Sequence, residues 1–398
     1  MMTGRHGDAR WLFALACLVF MVGGVSGSAI GVVWIYVQAD FNVTLSALGA
    51  LVTAATLGRL LTSSTSGPLI NRFGIAFMMM AGLVIAAGSM LGFALAGSWL
   101  AVMLVAFGSG LGAGVMATGL NAFAAVHFSA RQMNWLHGSW GIGSTIGPLL
   151  ITFIVIDLSL DWRWAYVIFT IVRLLLFGLF FLTRQRWRLS EARADDAGAQ
   201  HASLATTLRL PIIWLMVGAF MLATGVELVA GQFANSFLIE ARDIDAKTAG
   251  GWVSLYWASL TISRFAAGMI IARIGNARFL RLNGFGMLLG AGLLAANQGA
   301  LASLLGLALL GFAIAPFAPM LASDTPSRVG RAHVANAIGL QFAGASIGMA
   351  LLPWLAGALA EAQGLEIIPR FVFVTALATL ALHEAISLRE RSRRARRA

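Results

Sequence analysis

The sequence predicts an all-α membrane protein of twelve transmembrane helices in two pseudo-symmetric six-helix bundles, and three observations carry that prediction. The 398 residues are 59% hydrophobic and 11% charged, which leaves too little polar surface to solvate a globular chain of this size. Apolar runs long enough to cross about 30 Å of hydrocarbon recur twelve times along the chain. The one long polar stretch, 184–207, divides the chain almost in half.

The runs fall at 11–37, 44–70, 74–97, 99–127, 131–157 and 162–183, then at 209–240, 247–273, 279–297, 300–323, 332–359 and 366–387. The first is far longer than the apolar core of a signal peptide and reads as an uncleaved helix. The domain organisation is therefore an N-terminal bundle (1–183), a linker (184–208), a C-terminal bundle (209–387) and a basic tail (388–398). Arginines crowd alternate loops: Arg5 and Arg10, Arg72, Arg131, Arg184 with Arg186 and Arg188, Arg273 with Arg278 and Arg281, Arg328 and Arg331, and the terminal run. Basic loops stay on the cytoplasmic side, so both termini are expected there, with the chain in the cell inner membrane. The net charge of +11 is thus membrane topology and not a nucleic-acid surface. A single cysteine, Cys17, excludes an intramolecular disulfide and a cysteine metal site.

The two halves repeat in detail. Gly67-Pro-Leu-Ile-Asn-Arg-Phe-Gly74 is echoed 201 positions later by Gly268-Met-Ile-Ile-Ala-Arg-Ile-Gly275, and the same offset lays Ser144–Gly147 over Ala345–Gly348. Parallel repeats with a midplane site between halves are a transporter architecture. Twelve runs in six plus six, the central basic linker and the Gly-x6-Gly loop with its arginine resemble the major facilitator superfamily over essentially the whole chain. Within it, Asn121, the stretch Arg131–Pro148, and Glu227-x3-Gly231-Gln232 resemble the fucose:proton symporter group and its sugar-transporting relatives. The resemblance implies a membrane Asp on the first helix and a Glu on the fourth as proton carriers. Here those regions read Gly23-Gly-Val-Ser-Gly-Ser-Ala29 and Val115-Met-Ala-Thr-Gly-Leu120, and Asn71 stands where the superfamily pattern commonly has Asp.

Intramembrane polar groups are costly enough to mark function. Glu227 lies deep in the seventh helix and is expected to bind substrate and to carry any proton coupling, because a desolvated carboxyl binds its proton more readily. Gln232, Asn235, Gln341 and Asn121 offer amides that donate and accept at once, which suits sugar hydroxyls. Trp140, Trp257 and Tyr256 are candidate platforms for the apolar face of a sugar ring. His137 is a candidate proton shuttle. Arg59, Arg173 and Arg264 lie within helices with no acid spaced on the same helix to neutralise them. Such cations mark an anion path, a partner for Glu227 or a gate; Arg59, Arg72, Arg264 and Arg273 are candidate gate residues, and Arg264, close to the repeated glycine motif, reads as gate structure. Pro148, Pro316, Pro319 and Pro353 are expected to bend helices.

These features point to a secondary active transporter that moves a small polar solute, a sugar or sugar derivative, with or without protons. An amphipathic-drug efflux carrier and an organic-anion carrier using Arg59 are the alternatives. The six histidines lack paired spacing, no Gly-Lys-Ser/Thr loop follows a strand, and no acid pair or nucleophile is arrayed for catalysis. The reading is therefore not an enzyme, with no cofactor and no metal, acting as a monomer in the lipid bilayer.

Overall fold

The computed structural model describes residues 3–128, 130–187, 202–296 and 298–395. Among them are twelve long helices and no strand: α1 (Thr3–Phe41), α2 (Ser46–Phe73), α3 (Ile75–Leu95), α4 (Trp99–His127), α5 (Ala130–Thr152), α6 (Arg163–Thr183), α7 (Pro211–Ser236), α8 (Ala246–Ile274), α9 (Asn276–Ala295), α10 (Ala300–Ile314), α11 (Val334–Gln363) and α12 (Ile367–Ala395). Local chemistry sets several ends. The Ser98 hydroxyl accepts from the Ala101 N–H to cap α4, and Pro211 opens α7, where its missing N–H costs nothing. Nine of the described helices are long and apolar enough to cross a membrane. The apolar part of α2 is the shorter Ser46–Thr62. Neither α8 nor α9 is in that set, and they carry Arg264, Arg273, Arg278 and Arg281.

The expected tail from 388 onward is instead a continuation of α12 as far as Ala395. Hydropathy ends where the bilayer ends, whereas a backbone rich in Arg, Leu, Glu and Ala has no reason to leave the helix there. The prolines also divide. The helices α5 and α11 run through Pro148 and Pro353, but α10 stops at Ile314 and resumes as a short helix, Phe317–Ser323, beyond Pro316.

The chain forms two compact units: Met1–Ala192 with Ala246–Ser254, and Arg193–Asp245 with Leu255–Ala398. In the first, α1 packs on α5, α2 on α4, and α3 on α4 and α6. In the second, α7 packs on α11 and α12, and α9 on α10 and α12.

The sequence repeat reappears as the same packing in each unit. On α5, a Cβ at Gly143 would sit 1.9 Å from the Met21 carbonyl of α1, and one at Gly147 2.3 Å from that of Val25. On α11, Cβ atoms at Gly344 and Gly348 would sit 2.8 and 2.0 Å from the Val217 and Met221 carbonyls of α7. A Cβ at Gly110 would sit 1.8 Å from the Ala55 carbonyl, and one at Gly311 2.5 Å from that of Tyr256. No side chain fits at such approaches, so these helices touch backbone to backbone. The loops obey the same symmetry: Gly74 (φ 81°, ψ 157°) joins α2 to α3, and Gly275 (φ 78°, ψ 154°) joins α8 to α9. That region of backbone space is open essentially to glycine alone, which explains the second glycine of each repeated motif.

Candidate functional site

In the second unit, α7 and α8 bring two intramembrane charges together. Glu227 lies sixteen positions past Pro211, about 24 Å along α7 at 1.5 Å per residue. Both its carboxylate oxygens face Nη2 of Arg264 on α8, at 3.1 and 3.2 Å. An isolated ion at this depth would cost several kcal/mol, and pairing removes most of that cost. The pair is not sealed, because the side chains remain 17% and 30% exposed. The carboxylate spends both oxygens on one nitrogen, which leaves lone pairs able to accept further hydrogen bonds.

The surroundings hold this pair in place. Pro319 has no N–H to offer the Ala315 carbonyl four residues earlier, and Arg264 Nε reaches that carbonyl at 3.4 Å. The Tyr256 hydroxyl donates to the Glu227 backbone carbonyl at 2.7 Å. The adjacent Trp257 indole lies against Gly231, where a Cβ would stand 2.4 Å from Cζ2. Two consecutive aromatic residues of α8 therefore grip α7 at and one turn beyond Glu227.

The other residues singled out in the sequence are placed as follows. Trp257 and Tyr256 are buried, packed ring edge to face at 5.2 Å, and serve as helix contacts in this conformation. Gln232 and Asn235 are buried on α7. Gln341, also buried, shares a 3.0 Å hydrogen bond with Thr325. In the first unit, Asn121 is half-buried on α4, its Oδ1 without a partner among the described residues. Trp140 is half-buried on α5, its carbonyl 2.0 Å from where Gly24 would carry a Cβ. His137 is exposed and meets Phe20 edge to face at 5.2 Å. Arg59 is exposed on α2; Arg72 and Arg273 are exposed at the ends of α2 and α8. The structure thus brings together Glu227, Arg264, Tyr256 and Trp257, and does not bring Asn121, Trp140 or His137 to them within one unit. Among the described residues, no group of three or more His, Cys, Asp or Glu is placed to hold a metal.

Around the C-terminal part of α12 the second unit holds a separate charge network that sequence reading did not single out. Buried Arg328 pairs with Asp324 at 2.9 Å and with Glu390 of α12 at 2.7 Å. Arg281 makes a two-pronged pair with Glu384, both bonds 2.6 Å, and Asn276 donates to Asp324 at 2.6 Å. The signal is Glu384 and Glu390 of α12, which face arginines of α9 and of the α10–α11 connection that the sequence presents only as loop charge.

Twelve long helices, nine of them apolar enough to cross a membrane among the described residues, define a multi-pass membrane protein. The family model of the Major Facilitator Superfamily matches residues 15–341, and the chain belongs to that superfamily. It is 25% identical over 272 residues to the glucose/mannose transporter GlcP of Bacillus subtilis (strain 168), covering 67% of each chain. It is also 24% identical over 416 residues to bypass of stop codon protein 6 of Saccharomyces cerevisiae, covering 93% of this chain and 81% of that one. Solved structures of similar fold include the nucleoside transporter NupG (TM-score 0.76, 15% identity, 94% of this chain and 98% of that one). Another is a bacterial homologue of the human lysosomal transporter Spinster, inward-facing and occupied (TM-score 0.78, 14% identity, 95% and 96%). The E. coli fucose:proton symporter FucP aligns at TM-score 0.64 and 17% identity, over 95% and 99%. As a superfamily member, the chain sits in a membrane and binds small-molecule solutes.

Proposed function

We propose that this protein is a secondary active carrier of a small polar solute, a sugar or sugar derivative, working by alternating access with proton coupling through Glu227. The observation that carries this reading is the Glu227–Arg264 ion pair, semi-accessible within the span. Protonation of Glu227 cancels its charge and loosens its hold on Arg264, so proton uptake and rearrangement of α7 against α8 are the same event. The buried amides of Gln232, Asn235 and Gln341, with Asn121 and Trp140 of the first unit, supply hydroxyl-binding groups and an apolar face as the conformation changes. His137 is a second proton-carrying candidate, and Arg59, Arg72 and Arg273 are the proposed gate residues. The likeness to the glucose/mannose transporter GlcP and to the fucose:proton symporter FucP supports the solute class. The basic loops support an inner-membrane orientation with both termini cytoplasmic, and the protein acts as a monomer.

The test is uptake by proteoliposomes of labelled glucose, a hexuronate, a nucleoside and a cationic dye. Saturable uptake of a sugar or sugar acid is expected. Movement of the dye with no sugar flux would replace the sugar reading with amphipathic efflux.

A further inference from the structure

The membrane interior of the first unit has a charge imbalance that the second lacks. It contains Arg59 on α2 and Arg173 on α6, while Asp8, Asp40, Asp157 and Asp161 stand at helix ends or in a loop and Glu191 is in the linker. In the second unit, each of the intramembrane or buried arginines Arg264, Arg242 and Arg328 has a carboxylate partner: Glu227, Glu366, and Asp324 with Glu390. Arg173 has none among the described residues. It lies midway along α6, about 15 Å from either end, and is only 5% exposed. Nη2 donates to Ser26 Oγ of α1 at 2.6 Å and Nη1 to the Phe169 carbonyl at 3.4 Å. Ser26 can only accept from it, since its own proton goes to the Val22 or Gly23 carbonyl at 3.1 or 3.3 Å. Two neutral acceptors do not satisfy a guanidinium with five donors and a full charge at the centre of a bilayer.

We infer that Arg173, with Ser26, forms an anion site in the first bundle that receives the carboxylate of the transported solute, so that the favoured cargo is a sugar acid. The inference rests on the carrier reading above and names the charge of its solute. A guanidinium engages a carboxylate through paired N–H donors, and Ser26 keeps the fork aimed from the neighbouring helix. The same chemistry would take a free monovalent anion, which the test separates from a solute carboxylate.

Thermal unfolding of the purified full-length protein in detergent, titrated with sodium glucuronate, sodium chloride or glucose, tests this directly. General salt effects cancel in the difference between wild type and Arg173→Gln. The expected result is a midpoint raised by glucuronate more than by equimolar glucose, a rise lost in Arg173→Gln, partly kept in Arg173→Lys and reduced in Ser26→Ala. A rise produced equally by chloride, and lost in the same variants, keeps the anion site but assigns it to a free ion, overturning the sugar-acid cargo. Equal shifts in wild type and Arg173→Gln overturn the site. If Arg173→Gln does not fold, a wild type indifferent to glucuronate and chloride overturns it alone. Should that occur while proteoliposomes still take up glucose, the carrier reading stands and only this inference falls.

Discussion

Glu227 of α7 and Arg264 of α8 meet with both carboxylate oxygens on one guanidinium nitrogen, at 3.1 and 3.2 Å. Each charge is tolerable inside the span because of the other. Glu227→Gln leaves the cation and Arg264→Gln leaves the anion without its partner, so each single variant is expected to be less stable than the double variant. Loss of one partner from a sealed pair costs roughly 3–5 kcal/mol; with side chains 17% and 30% exposed, a smaller loss is expected. A double-mutant cycle on unfolding in detergent should give a coupling energy on the order of 1–3 kcal/mol. Strictly additive losses would mean that the two groups do not support each other.

The backbone contacts between α1 and α5 and between α7 and α11 make a second prediction. Gly143→Ala and Gly348→Ala place a Cβ 1.9 and 2.0 Å from the carbonyls of Met21 and Met221, so the helices must part. Overpacking of this kind costs about 1–3 kcal/mol, and both variants should unfold several degrees below wild type. Gly27→Ala, which meets nothing within 4 Å, should not.

Tyr256 offers a finer probe of how α8 holds α7. Tyr256→Phe keeps the buried ring and removes the 2.7 Å bond to the Glu227 carbonyl, an expected loss of about 1 kcal/mol. Gly231→Ala drives a methyl into the Trp257 indole and should cost more. The ranking is read from thermal midpoints, and a Tyr256→Phe loss larger than that of Gly231→Ala would reverse the assigned roles.

Arg328 is 2% exposed and joins Asp324 to Glu390. Arg328→Gln leaves two carboxylates without the cation between them and is expected to destabilise strongly, by on the order of 3 kcal/mol. Glu390→Gln, which leaves the Asp324 pair intact, should destabilise less. Equal midpoints for the two variants would show that Glu390 alone carries the network.

Much of the fold was legible because the bilayer imposes length on every span. The twelve apolar runs match the twelve helices within a few residues at most ends, and the Gly74 and Gly275 motif announced its own loop geometry. The end of α12 was not legible, since hydropathy reports the membrane boundary and not the end of hydrogen bonding. Glu227 and Arg264 were each visible as charges inside apolar runs. Their contact was not, because it depends on the rotation of α8 about its own axis, which α8, with a polar residue at several faces, does not reveal. Residue type alone presents Tyr256 and Trp257 as a sugar platform and does not reveal that both are buried against α7 in this conformation. Arg328 reads as loop charge in the sequence because, although Asp324 is four residues away, its second acid, Glu390, is remote in the chain and beyond the apparent end of the last span.

The central claim is that the Glu227–Arg264 pair links proton uptake to solute movement. Proteoliposomes containing wild type or Glu227→Gln, loaded with the solute identified by the uptake panel, allow both exchange and accumulation under an imposed pH gradient to be measured. The account predicts that wild type accumulates solute along the gradient, while Glu227→Gln retains exchange at equal concentrations but loses gradient-driven accumulation. Accumulation by Glu227→Gln equal to wild type, or wild-type flux indifferent to the gradient, would contradict it.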